Sequence, residues 1–173
     1  MNTKKLQVPF IEKEIHSLKA GERVLLSGEI FTARDRASEI LASDQKIPFS
    51  LENSCIFHCG PAVKKEQNNY RVLSAGPTSS IRMERFLEEI INKRKIKSFL
   101  GKGGFPEESN QIFKKHQAVY LSATGGAGAL LAEKIKYKNV FYLEELGACE
   151  AIWQFQIKDF PCFVSVDSGG NKS

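Results

Sequence analysis

The chain has 173 residues, of which 42% are apolar and 26% charged, and 25 basic against 20 acidic side chains leave a net charge of +5. That length suffices for one domain, residues 1–173, with a core that needs no staples. The mildly basic balance fits an anionic ligand or an acidic partner and is too weak to argue for nucleic acid. Cys55, Cys59, Cys149 and Cys162 lack the spacing of a disulfide framework. The N-terminus is charged without an apolar signal-peptide stretch, and no apolar run approaches the roughly 18 residues of a membrane span. These features predict a cytoplasmic protein with reduced thiols and no membrane partner.

Taken in order, LQVPF reads as extended, with Pro9 disfavouring helix at Val8. Ile11, Ile15 and Leu18 then mark a short helical piece. RVLLSGEIFTA predicts a strand interrupted at Gly28 by a bulge or hairpin. Arg34-Asp35-Arg36 opens a helix that turns Ala37, Ile40 and Leu41 inward, with Asp35 suited to the helix dipole. SCIFHCG is a strand whose alternation puts Cys55, Phe57 and Cys59 on one face, where the thiols read as packing groups. The lysine-rich VKKEQNNY is a solvent loop or hairpin tip, and RVLSAG is strand again.

Met83, Phe86, Leu87, Ile90 and Ile91 recur at helical spacing and predict an amphipathic helix. Ile96–Leu100 is a short strand, Glu107–His116 a polar helix, AVYLS a strand and ALLAEKI a helix. AIWQFQI is helix or strand, PCFVSVD a closing strand, and GGNKS a frayed tail. Strand–loop–helix units in the second half predict parallel pairing, and the first half reads as more purely β. The fold class is α/β, a mixed sheet or sandwich with helices packed on it.

Three loops occupy positions where open α/β sheets bind ligands: Gly76–Ser80, Gly101–Gly104 and Thr124–Gly128. The first precedes a helix and carries Thr78, Ser79 and Ser80, one of which is expected to cap it. Arg82 lies off the apolar stripe, so its guanidinium can point back towards the loop. Lys102 stands among glycines, with no Walker A spacing, and Leu131 spoils a dinucleotide fingerprint in GGAGALL. Spacing alone fits phosphate or carboxylate binding, and equally fits tight-turn glycines beside a solvated lysine. Convergence of Arg34, Arg82 and Lys102 would suit a dicarboxylate. The scattered lysine patches read as solvated surface. His16, His58 and His116 lack ligand spacing, and no metal site or catalytic histidine is assigned.

TARDRAS (Thr32–Ser38), FHCGP (Phe57–Pro61), SAGPTSSIRM (Ser74–Met83), GKGG (Gly101–Gly104), ATGGAGALLA (Ala123–Ala132) and ELGACEAIW…DFPCFVSVDSGGN (Glu145–Asn171) occur in one order. Together they resemble the β subunit, or C-terminal domain, of iron–sulfur-dependent class I fumarate hydratases and L-tartrate dehydratases. The resemblance implies a swivelling β/β/α domain forming half of a hydro-lyase. It implies an α-subunit partner that carries a [4Fe–4S] cluster, in an (αβ)2 assembly, with no cofactor held by this chain. It also implies substrate-binding roles for Arg34, Thr78, Arg82 and Lys102, with Thr78 and Lys102 catalytic. In the family TARD-x-x-H usually ends in histidine, where this chain has Ser38; that departure implies a slow enzyme, another substrate, or recruitment of His58 or a partner residue. The competing expectation is a non-catalytic anion-binding module acting through a partner protein.

Overall fold

The computed structural model describes residues 3–173. It opens with β1 (Thr3–Val8), a short helix α1 (Glu12–Ser17) and β2 (Arg23–Thr32). β1 runs parallel to β2 from Thr3↔Arg23 to Val8↔Gly28. Gly28 has φ of +111°, and a Cβ there would fall 2.0 Å from the Val8 carbonyl oxygen, so glycine alone fits. The irregularity expected here is a bulge and not a hairpin, seen as a register shift between Leu26 and Gly28 against the last strand.

Helix α2 (Asp35–Ala42) buries Ala37, Ser38 and Leu41. Ile40, expected inward, is only half-buried. The buried face is centred on the row 34–38–41, one position round from the expected stripe. β3 (Cys55–Phe57) follows, then a two-stranded hairpin of β4 (Ala62–Glu66) and β5 (Asn69–Ser74), which accounts for the lysine-rich excursion. The helix expected from Met83 divides into a 3₁₀ segment, Ser80–Phe86, and α3 (Leu87–Arg94). The tighter 3₁₀ winding shifts the phase, which leaves Phe86 half-buried while Met83, Leu87, Ile90 and Ile91 are buried.

β6 (Ser98–Gly101) and β7 (Val119–Ser122) fall where expected, and the helix expected over Glu107–His116 opens with a 3₁₀ turn, Glu107–Ser109, before α4 (Asn110–His116). Helix α5 (Gly128–Ala132) is shorter than expected, because Ile135 already belongs to β8 (Ile135–Phe141). After α6 (Leu143–Leu146) comes β9 (Ile152–Val166), a single strand of 15 residues that passes through Pro161. Its irregularity precedes the proline: Asp159 takes φ of +48° and donates its N–H to Ser27 Oγ at 3.0 Å. The C-terminal segment expected to fray is tied back, with Asp167 N–H donating to the Asn171 carbonyl at 3.0 Å and Ser173 N–H to that of Ser165 at 3.1 Å.

The sheet order is β1-β2-β3-β6-β7-β9-β8, with a further β2–β9 pairing. Because β9 lies antiparallel to both β2 and β7, the pairings β2-β3-β6-β7-β9 close into a ring. The fold is therefore mixed α/β with helices packed on a many-stranded sheet, as the sequence predicts, although parallel pairing also extends into the first half through β1, β2 and β3.

Two apolar layers flank the strands. One gathers Leu26, Ile30, Phe57, Leu100, Trp153 and Phe160 with β1 and α1. The other packs Ile56, Phe99 and Tyr120 against Leu41, Ile90 and Phe113 of α2, α3 and α4. The alternation at Cys55, Phe57 and Cys59 holds: all three face the first layer, and Ile56 the second. No helix among the described residues is long and apolar enough to cross a membrane.

Candidate active site

β2, β3, β6 and β7 are parallel to their neighbours, so their carboxyl ends share one edge. Arg34 follows β2, His58 follows β3, Lys102 follows β6, and Thr124–Gly128 follows β7. The Gly76–Ser80 loop is stitched across that edge. Thr78 N–H donates to the His58 carbonyl at 2.7 Å, and the Thr78 carbonyl accepts from Lys102 N–H at 3.2 Å. Ser80 N–H in turn donates to the Lys102 carbonyl at 3.1 Å. The third loop joins through Gly125, where a Cβ would stand 3.4 Å from Lys102 Cδ, so the lysine stem lies along bare backbone.

Each cation is held differently. Lys102 is exposed, and among the described residues its Nζ has no carboxylate or hydrogen-bond partner. Arg34 lies over Gly60, where a Cβ would be 2.7 Å from Arg34 Cδ. Its Nε is buried 3.4 Å from Glu150 Oε1, an ion pair without hydrogen-bond geometry. The other Glu150 oxygen accepts from Arg36 N–H at 3.0 Å, at the start of α2, where the helix dipole favours a carboxylate. Thr32 holds that region in place: its Oγ1 donates to the Ala151 carbonyl at 3.2 Å and accepts from Trp153 N–H at 2.9 Å.

Arg82 does not point freely into the loop as expected; its guanidinium pairs with Asp35, the first residue of α2. With 46% and 28% of the two side chains exposed, that pair is worth only about 0–1 kcal/mol, and the guanidinium remains available to an incoming carboxylate. Thr78 is half-buried, and its hydroxyl has no partner among the described residues. The four predicted site residues thus come from three sequence-distant segments to one strand edge.

The expected helix cap is absent. No side chain among Thr78, Ser79 and Ser80 caps the 3₁₀ segment. Ser80 instead points inward, with its Oγ 2.8 Å from His58 Nδ1 and accepting from Tyr120 O–H at 3.0 Å. Burial holds the His58 imidazole far below its usual range, at about 3, against a weaker opposing pull from Asp35, so the ring is neutral at physiological pH. Burial likewise raises the Tyr120 phenol to about 12, although its bond to Ser80 works the other way. Sequence reading missed this trio and the Glu150 and Asp35 counterions. His58, Ser80, Tyr120 and Glu150 lie in or within three residues of a glycine-marked motif and Asp35 lies in the TARDRAS stretch, but neither signal names a partner.

All four cysteines are free, and only Cys149 is exposed. Burial pushes the Cys55 and Cys59 thiols up to about 12 and Cys162 higher still. Three thiols facing a packed core and one on the surface do not make a ligand set for an iron–sulfur cluster. Among the described residues no three His, Cys, Asp or Glu side chains are grouped to hold a metal ion.

Residues 2–173 match the family model described as Fumarase C-terminus. The chain belongs to this family. A Methanocaldococcus jannaschii protein provisionally named L(+)-tartrate dehydratase subunit beta is 43% identical over 166 residues, covering 92% of this chain and 85% of the relative. The L(+)-tartrate dehydratase subunit beta of Escherichia coli K12 is 31% identical over 168 residues, covering 96% and 84%. A Geobacillus stearothermophilus protein provisionally named fumarate hydratase class I is 41% identical over 167 residues; the match covers 96% of this chain but only 32% of that longer relative. Family members therefore include both separate beta subunits and one part of a longer polypeptide.

Proposed function

We propose that this chain, acting as one unit, is the β part of a hydro-lyase that adds or removes water on a four-carbon dicarboxylate, either fumarate/malate or tartrate. The observation that carries this reading is the single strand edge presenting three cations from separate segments beside an unpartnered threonine hydroxyl. The names of its relatives support the same reaction class. Loss or addition of water beside a carboxylate builds negative charge on the substrate. Fixed cations aimed there stabilise that charge more in the transition state than in the ground state.

Arg34, Arg82 and Lys102 hold the two carboxylates, the guanidinium forks in bidentate fashion and Lys102 as a point charge. Thr78 Oγ1 carries the proton to or from C3, with the positive charge of Lys102, on the loop whose backbone is bonded to that of Thr78, favouring the deprotonated oxygen. Lys102 and Arg82 are exposed, which suits a site completed by another surface. That surface is an α subunit, which carries the [4Fe–4S] cluster that the family resemblance implies. The free thiols suit a reducing, cytoplasmic setting and an αβ assembly such as (αβ)2.

Co-expression with an α subunit, anaerobic iron–sulfur reconstitution and assays on malate, fumarate and tartrate test the reading. The complex is expected to turn over at least one of them, and the isolated chain none. Failure of the reconstituted complex on all three would sink it, and dicarboxylate binding by the lone chain without turnover by the complex would favour a binding module.

A further inference from the structure

Under Lys102 lies a polar group that none of the proposed chemistry uses. His58, Ser80 and Tyr120 are all buried, in a layer otherwise built from Phe99, Phe105 and Phe113. The His58 ring packs against Phe99 and Phe105, with centroids at 5.6 and 6.5 Å. An imidazole among phenyl rings requires a reason, because a buried polar group costs free energy unless it is hydrogen-bonded. Its one side-chain bond, Nδ1 to Ser80 Oγ, is supported from the far side by Tyr120 O–H.

The same three residues are wired to the site through backbone. The His58 carbonyl receives the Thr78 N–H, and Ser80 N–H binds the Lys102 carbonyl. Gly101 closes the arrangement: a Cβ there would stand 1.9 Å from Ser80 Oγ and 3.3 Å from His58 Nδ1. The trio therefore presses directly on the residue before Lys102.

We propose that His58 is a positioning residue: as a neutral imidazole anchored on Ser80 and Tyr120, it fixes the crossing of the Thr78 and Lys102 loops and so sets Thr78 Oγ1 and Lys102 Nζ against the substrate. Tyr120 donates to Ser80 Oγ, and the serine hydroxyl can in turn donate to Nδ1, an arrangement that requires the Nε2–H tautomer of His58. His58 Nε2 is buried and has no hydrogen-bond partner among the described residues, so there the ring is held from one side only. Loss of Ser80 Oγ would free it to rotate and take the loop crossing with it. A ligand role for His58 is not needed for this. It acts through Ser80.

This inference rests on the proposed hydro-lyase function for its kinetic consequence but not for its structural one, and the test separates the two. Ser80→Ala, His58→Leu and His58→Asn are compared with wild type in the full chain and in the reconstituted αβ complex. Asparagine can offer a polar atom near the Nδ1 position, and leucine cannot. In the full chain, Ser80→Ala and His58→Leu are expected to exchange the Lys102 and Ser80 amide hydrogens at least about tenfold faster, with those of β3 and β7 unchanged. His58→Asn is expected to restore most of that protection. The wild-type His58 ring should give the ¹⁵N signature of one neutral Nε2–H tautomer.

In the complex, kcat is expected to fall about tenfold or more in Ser80→Ala and to recover in His58→Asn relative to His58→Leu. Unchanged exchange at Lys102 and Ser80 in a folded Ser80→Ala chain, or a charged His58 ring at neutral pH, would overturn the proposal. So would a wild-type kcat in Ser80→Ala. A wild-type complex inactive on every dicarboxylate would instead sink the hydro-lyase reading, and the exchange data would still decide the loop role.

Discussion

The two ends of the parallel strands are both rich in cations, and they use them in opposite ways. At the amino ends of β3 and β6, Arg94 donates to the carbonyls of Leu41, Ser43 and Gln45 at 2.8–2.9 Å and to that of Ile40 at 3.4 Å, which satisfies the C-terminus of α2. Lys93 meets Asp44 at 2.7 Å, Lys95 meets Glu52 at 3.4 Å, and Lys97 donates to the His116 carbonyl at 3.0 Å. A cleft of about 440 Å³ opens there, walled by Lys46, Phe49, Glu52, Lys93, Arg94 and Lys95. Lys93, Arg94, Lys95 and Lys97 are thus already engaged, while Lys46 has no ion-pair or hydrogen-bond partner among the described residues.

At the carboxyl ends, Lys102 is unengaged among the described residues, Arg82 sits in an exposed pair, and Arg34 holds Glu150 without hydrogen-bond geometry. A cation serves a ligand best when the fold has not fully committed it. Most cations at the amino ends are thus committed to the fold, and the carboxyl edge is the substrate site proposed above.

Mutation can break this contrast. The largest effect is expected from Lys102→Ala and Arg82→Ala, each lowering kcat/KM of the reconstituted complex by about 100-fold or more with thermal unfolding unchanged. Arg94→Ala is expected to do the reverse. It strands several carbonyls at the α2 terminus, so stability should drop by about 1–3 kcal/mol in urea titrations, with kcat/KM retained.

The pH dependence of stability sharpens the contrast further. His58 titrates at about 3 in the folded chain against 6.5 for the unperturbed group, so between those values the unfolded chain binds the extra proton. Stability should therefore fall as pH drops below about 6.5, already in the range above pH 5 where the carboxylates remain ionised, and His58→Asn should flatten that part of the profile in urea titrations. The smallest effect belongs to Lys95→Ala. Its pair with Glu52 is 70% and 57% exposed, and its removal should shift stability by less than about 1 kcal/mol with no change in turnover.

Much of this was legible in the sequence, for local reasons. The periodicity of Ala37 and Leu41, of Leu87, Ile90 and Ile91, and the glycines after β6 and β7 each report on a few neighbouring residues. β9 was illegible as one strand because two of its partners, β2 and β7, lie in remote segments, and Pro161 reads locally as a break. Ser38 replaced Ile40 on the buried face because tertiary packing around the helix, not its own periodicity, sets the rotation.

In the site, the residue types were readable, and their partners were not. Arg82 with Asp35, Arg34 with Glu150, and His58 with Ser80 and Tyr120 are all long-range pairings, and a single polar residue beside a glycine motif carries no trace of its partner. The cap expected from Thr78, Ser79 or Ser80 failed for the same reason: the imidazole and phenol took the Ser80 hydroxyl.

The most direct test is dicarboxylate turnover by the anaerobically reconstituted αβ complex, with Lys102→Ala and Lys95→Ala measured side by side. The two lysines differ in which end of the strands they occupy. Loss of about 100-fold in kcat/KM for Lys102→Ala with wild-type rates for Lys95→Ala is the predicted result. Equal rates in the two variants would contradict the assignment of the carboxyl edge as the substrate site.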